Sequence, residues 1–176
     1  MSSRLRSLVR LSQELGWVIE KAPVLCTPVY EDELVSLGIF VLTHPAAAIP
    51  LHDHPGINGF IKVLCGKIQI HSYTWVNNWP SSVFPKEPEE VLDTSSGSAF
   101  LGPVKGNLHR VDNATAGVSA FFDVLIPGYD ETVRDCHYYR EVGQLRFKLA
   151  NPPRSFWTQR LDLPGFPLPL LAQNPL

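Results

Sequence analysis

The sequence predicts an all-β fold, a small antiparallel sandwich or jelly-roll barrel, on three observations. The helical period ends at Gly16; short runs of alternating apolar residues follow; and proline or glycine breaks separate them. Many short strands joined by turns pack as two antiparallel layers or close into a barrel.

The chain has 176 residues and 44% hydrophobic content, enough for one good core and too little for two. Its charged fraction, 18%, lies below the roughly 25% usual in soluble domains. A net charge of -2 offers phosphate no general attraction, so nucleic acid is not an expected partner. Cys26, Cys65 and Cys136 are odd in number and include no CxxC pair. Neither a disulfide framework nor a thiolate zinc site is indicated, and a reducing compartment, cytoplasmic or also nuclear, is expected. No apolar run approaches the length of a membrane span, so no membrane partner is expected.

Residues 1–20 form the first element. Leu5, Leu8, Leu11 and Leu15 share one helical stripe, Ser2 or Ser3 can cap it, and Gly16 stops it. The arginines Arg4, Arg6 and Arg10, with no acid before Glu14, also suit a mitochondrial presequence, the alternative to a helix packed on the outside. Residues 21–150 make the β domain. Val35, Leu37, Ile39 and Val41 alternate in one strand; residues 60–64 and 67–73 form two more around Cys65-Gly66; residues 118–126 and 138–141 follow. Residues 77–90 hold three prolines and no period, a long loop between strands. Residues 151–176 hold six prolines interleaved with Phe156, Trp157, Leu161, Phe166 and Leu168. Such a tail cannot be a central strand and is too apolar for a free linker, so it is expected to wrap the barrel as extended chain.

The chemistry is concentrated in IPLHDHPGINGFIKVLCG, residues 49–66. Side chains alternate along a strand, so His52 and His54 project to one side while Asp53 points away. Two imidazoles so placed make a bidentate metal grip, although HxH alone is a weak signal. Four residues separate His54 from Gly59 and six more lead to Gly66; Gly97, Pro103, Gly106, His109 and Asn113 follow at short intervals.

This spacing resembles the cupin superfamily, whose fold is a double-stranded β-helix. Its first motif carries a glutamate where this chain has Gly59, and its second lacks one of the residues between Pro103 and Gly106. The resemblance implies three metal ligands, His52, His54 and His109, and no carboxylate ligand. Loss of that carboxylate is characteristic of the thiol dioxygenases. The segments "IPLHDHPG", "KVLCGKIQI", "FFDVLIPGYD" and "RDCHYYR", in that order, are similar to the cysteamine (2-aminoethanethiol) dioxygenase and plant cysteine oxidase family. That family's activity implies Fe(II), O2 as co-substrate, cysteamine or the N-terminal cysteine of peptides and proteins as thiol, a sulfinic acid product, a role in oxygen sensing, and a monomer. The family has two prolines where this chain has Pro127-Gly128, a change expected to loosen the turn before Tyr129.

Asp123 shares a strand face with Ser119, Phe121 and Leu125, an apolar setting in which a carboxylate needs a partner. It either receives the substrate's ammonium or is a buried structural carboxylate held by backbone or arginine; the resemblance favours the site. Tyr129 and Tyr138 are candidates to orient dioxygen or substrate, or else rim aromatics. Cys136 and Tyr138, two apart, share a face if this is a strand, and the resemblance implies that they can join as a thioether. His44, His71 and His137 have no partner at ligand spacing, and Cys26 and Cys65 fit as small core hydrophobes.

Between Lys21 and Lys62 there is no lysine or arginine, so the strands leading into HxH bring no cation for a free α-carboxylate. Lys105, Arg110 or Arg134 could supply one from the other sheet. Three histidines also suit zinc with a bound hydroxide, and a binding module without catalysis is a third alternative.

Overall fold

A computed structural model describes residues 22–74, 84–130, 132–143, 146–156 and 158–160. The expected N-terminal helix, the first part of the proline-rich loop and the tail beyond Arg160 lie outside the described residues.

Strands dominate because the apolar residues alternate, and the burial follows that alternation. The strands are β1 (Val24–Glu31), β2 (Ser36–Leu42), β3 (Ala48–His52), β4 (Asn58–Cys65), β5 (Lys67–Tyr73) and β6 (Glu90–Asp93). They continue as β7 (Ala99–Leu101), β8 (Leu108–Asn113), β9 (Ser119–Ile126), β10 (Tyr139–Gly143), β11 (Arg146–Leu149) and β12 (Thr158–Arg160). In β9, Ser119, Phe121, Asp123 and Leu125 face inward and the residues between them are more exposed.

The larger sheet runs β12-β1-β2-β9-β4-β7 and the smaller β3-β8-β5-β6, with β10 and β11 as a separate ribbon. From β3 to β9 the chain passes repeatedly between the sheets, the winding of a double-stranded β-helix. Pairing is antiparallel except where β12 joins β1 in parallel. The tail therefore docks as an edge strand, the position its proline content allows.

One core cluster fills the space between the sheets, with Leu42, Ile61 and Phe121 from the larger and Ile49, Ile70 and Val111 from the smaller. Phe40 stacks on Phe121 with ring centroids 5.5 Å apart. Burying a side chain such as Phe121 is worth about 1.5–3 kcal/mol. A second cluster, Phe84, Leu108 and Phe147, pins the end of the 77–90 loop and β11 to the base of β8.

Gly66 turns β4 into β5 with φ of 68°, and a Cβ there would lie 2.8 Å from the Val118 carbonyl oxygen, so only glycine fits. Gly128 is different. A Cβ there would stand 2.8 Å from both the Asp32 carbonyl oxygen and Ser36 Oγ. The turn before Tyr129 is therefore not loosened by glycine; the turn between β1 and β2 packs directly onto it. The Ile126–Pro127 peptide bond is cis.

Candidate metal centre

Three elements converge on the histidines. His52 ends β3, His109 lies on β8, and the register pairs them directly. His54 is past the strand end, in the turn that leads to β4, so the shared side expected from strand alternation is produced here by a turn. Asn107 fixes that turn: its side chain accepts from the His54 amide (3.2 Å) and donates to the His54 carbonyl (2.8 Å). The three rings gather with centroids 4.3–4.9 Å apart, and one nitrogen of each lies within 4.8 Å of the others.

Second ring nitrogens are engaged elsewhere. His52 Nδ1 donates to the Pro50 carbonyl at 2.7 Å and His109 Nδ1 to the Asn107 carbonyl at 3.0 Å. Both Nε2 atoms are thereby left with lone pairs. His54 Nδ1 meets the Tyr129 hydroxyl, and its Nε2 stands 3.1 Å from His52 Nε2. Burial holds all three imidazoles below the ordinary histidine range, His54 and His109 well below it. Neutral rings with converging lone pairs repel one another unless a cation sits between them, so the donor set fits a divalent metal. The Gly59 position supplies no carboxylate; a Cβ there would meet Leu101 and Leu125 at 3.6 Å.

A cavity of about 220 Å³ opens over the histidines. Asp123, Tyr129, Cys136 and Tyr138 line it, together with Phe40, Ile61, Phe121 and Phe156. Every residue singled out by the sequence for this site is thus brought to one cavity. Cys136 and Tyr138 do not lie on a strand; β10 starts one residue later, and Tyr138 is held by an isolated bridge to His52. Cys136 hydrogen-bonds the hydroxyls of Tyr129 and Tyr138. Burial pushes the Cys136 thiol and the Tyr138 phenol each up to about 12.

Asp123 is buried with no ion pair among the described residues, and burial pushes its carboxyl up to about 7. Of the two structural alternatives, pairing with an arginine is not seen among the described residues, whereas the Val124 backbone does meet the carboxylate. Among the described residues no lysine or arginine lines the cavity. Arg110 pairs with Asp112 and Arg134 with Asp130, while Lys105 is exposed. A neighbouring groove of about 290 Å³ shares Asp123, Tyr129 and Thr158 with the cavity and continues past Tyr30 to Glu31 and Arg160. Cys26 is half-buried and lines both spaces, so it is a wall of the site rather than core, and burial raises its thiol to about 11. Cys65 is likewise only half-buried.

Two contributors were not visible in the sequence. Asn107 carries no local signal beyond standing two residues before His109. Asp53 does point away from the histidines, yet it is 7% exposed and binds His137 and Tyr139. His71 pairs with Glu89 and Asp112 on the outer face of the smaller sheet, and His44 is exposed.

Residues 10–164 match the model of the PCO_ADO family. The chain is 38% identical to 2-aminoethanethiol dioxygenase of Mus musculus, over 77% of this chain and 63% of that protein. It is 36% identical to 2-aminoethanethiol dioxygenase of Homo sapiens, over 77% and 60%, and 33% identical to plant cysteine oxidase 1 of Arabidopsis thaliana, over 68% and 42%. The chain therefore spans about three fifths of the length of the two mammalian relatives.

Proposed function

The chain belongs to the PCO_ADO family, and from that membership we propose that it is a thiol dioxygenase that converts cysteamine or an N-terminal cysteine, with O2, to the sulfinic acid. The overall reaction is R–SH + O2 → R–SO2H, which balances without a further reductant. The observation that carries this reading is the cavity itself: among the described residues it brings together three neutral buried imidazoles and one buried aspartate, with no ligand carboxylate and no cation.

His52, His54 and His109 would hold Fe(II), which when bound supplies the redox chemistry that brings dioxygen and thiol together. Pro50, Asn107 and Tyr129 orient the three rings. Asp123 offers its carboxylate to the ammonium group that cysteamine and an N-terminal cysteine both carry. A free cysteine adds an α-carboxylate that finds no lysine or arginine among the described residues of the cavity. A peptide loses that charge to its first amide bond, and the groove past Asp123 toward Glu31 and Arg160 gives its following residues a path outward. This favours N-terminal cysteines as well as cysteamine, and with them a role in coupling protein lifetime to oxygen supply. A Cys136–Tyr138 thioether belongs to the same reading; its formation would remove one hydrogen from the thiol and one from the ring, both taken up by one dioxygen as hydrogen peroxide. All three cysteines are free, which fits a reducing cytoplasmic or nuclear setting.

The test is to load the protein with Fe(II) without oxygen, admit air with cysteamine, free cysteine or a short N-terminal-cysteine peptide, and weigh the products. Gain of two oxygen atoms on cysteamine and the peptide, with little on free cysteine, is expected. No oxygenation of any thiol at one iron per chain would overturn the reading, and an activity that persists without oxygen would point to zinc chemistry.

A further inference from the structure

We propose that Asp53 is a positioning residue: its carboxylate holds the 136–139 segment so that Cys136 and Tyr138 face the three-histidine cavity. Oδ1 accepts from the His137 amide at 2.9 Å and from His137 Nδ1 at 3.1 Å. Oδ2 accepts from the Tyr139 hydroxyl at 2.7 Å. The Asp53 amide in turn donates to the His137 carbonyl at 3.1 Å. In locally extended chain, successive side chains point to opposite sides. His137 and Tyr139 therefore turn back to Asp53 while Cys136 and Tyr138 turn to the cavity, where both are found. One carboxylate grips the segment from behind.

On the cavity side the Tyr138 ring packs against His52 and Phe156, with centroids 6.1 Å and 5.7 Å apart; the outward side rests on Asp53. Between Arg134 and Tyr139 the segment forms no regular strand. Its other backbone ties are the Cys136 amide's bond to the neighbouring Asp135 Oδ1 at 2.7 Å, the Tyr138 bridge to His52 with the bond from the Ala150 amide at 2.9 Å, and the pairing of Tyr139 with Leu149 where β10 begins. Behind it lies a cavity of about 390 Å³ lined by Asp53, His137 and Tyr139; Tyr139 packs against the Phe84, Leu108 and Phe147 cluster, while His137 depends on its hydrogen bonds to Asp53. Because Asp53 stands between His52 and His54, the same residue ties the metal-binding turn to the segment that carries Cys136. The catalytic consequence rests on the thiol dioxygenase reading; the positioning itself does not.

The test uses the three cysteines as reporters in the full, metal-free chain, prepared without iron so that Cys136 is an unmodified thiol. Iodoacetamide labelling is followed at each cysteine by mass spectrometry. In Asp53→Ala, labelling of Cys136 is expected to speed up tenfold or more, while Cys26 and Cys65 change less than twofold. Tyr139→Phe, which leaves the HxH turn untouched, is expected to give a two- to fivefold rise at Cys136 alone and no further rise when added to Asp53→Ala. If Cys136 labelling is unchanged in Asp53→Ala, the proposal fails. If all three cysteines speed up together in that variant, Tyr139→Phe decides: a selective rise at Cys136 supports the proposal and no change overturns it. These rates do not depend on thiol oxidation, so failure of the dioxygenase reading would leave them unaffected.

Discussion

The Tyr129 hydroxyl meets Nδ1 of His54, two residues that stand 75 positions apart in the chain. The other two histidines give their Nδ1 protons to backbone carbonyls, which leaves Nε2 free. For His54 to present Nε2 in the same way, Nδ1 must donate to the tyrosine oxygen, and the phenol proton then goes to Cys136. Tyr129→Phe removes that acceptor and frees the other tautomer. Metal affinity, read by competition with a chelator, is expected to fall about tenfold. Unchanged affinity would mean that the Asn107 grip on the His54 backbone orients the ring unaided.

His109 comes from a different strand than the HxH pair, and its register partner is His52. His109→Ala leaves His52 and His54 as the two remaining ligands and is expected to drop bound metal from about one per chain to a small fraction of that and, on the thiol dioxygenase reading, to abolish activity. Metal analysis after desalting is the check. A variant that keeps metal and activity would remove His109 from the centre.

Asp123 makes stability depend on pH. Its folded carboxyl lies near 7, above the roughly 3.9 of an unfolded aspartate. The native state therefore keeps a proton that the unfolded state releases. This contribution is fully present below about pH 4 and is lost as pH rises through about 7. Asp123→Asn is expected to stabilise the metal-free protein at pH 8, by on the order of 3–4 kcal/mol, and less at pH 5. Urea midpoints at the two pH values measure it; an equal gain at both would mean that the carboxyl titrates in its ordinary range. On the thiol dioxygenase reading, the same substitution in the iron-loaded protein should raise the KM for cysteamine.

Gly128 touches the turn between β1 and β2, where a Cβ would come within 2.8 Å of the Asp32 carbonyl oxygen. Gly128→Ala should destabilise the fold by about 1–3 kcal/mol. Gly128→Pro, which would restore the family's paired prolines, also carries a Cβ and should do no better. Thermal unfolding of both variants is the check, and parental stability in either would show that the turn yields.

The parts legible in the sequence were those whose signal is local. Alternation along residues 60–73 and 118–126 announced β4, β5 and β9, and glycine and proline spacing announced the turns. β6 and β7 were not announced, because strands as short as Ala99–Leu101 hold too few residues for a period to show, and β1 and β8 were missed because their burial does not alternate cleanly. His109, on β8, was found by its motif spacing rather than by its strand.

By itself the sequence determined the all-β class, the three imidazoles, the missing carboxylate at Gly59 and the absence of a cation between Lys21 and Lys62, since each depends only on which residue types stand at which spacing. The tertiary structure alone decided what surrounds them. Desolvation of Asp123, the Tyr129 contact that orients His54, the Asp53 grip on the 136–139 segment and the close approach at Gly128 join residues far apart along the chain. Such contacts exist only once the sheets have closed around one core, and no local pattern encodes the distance or the dry surroundings that give them their strength.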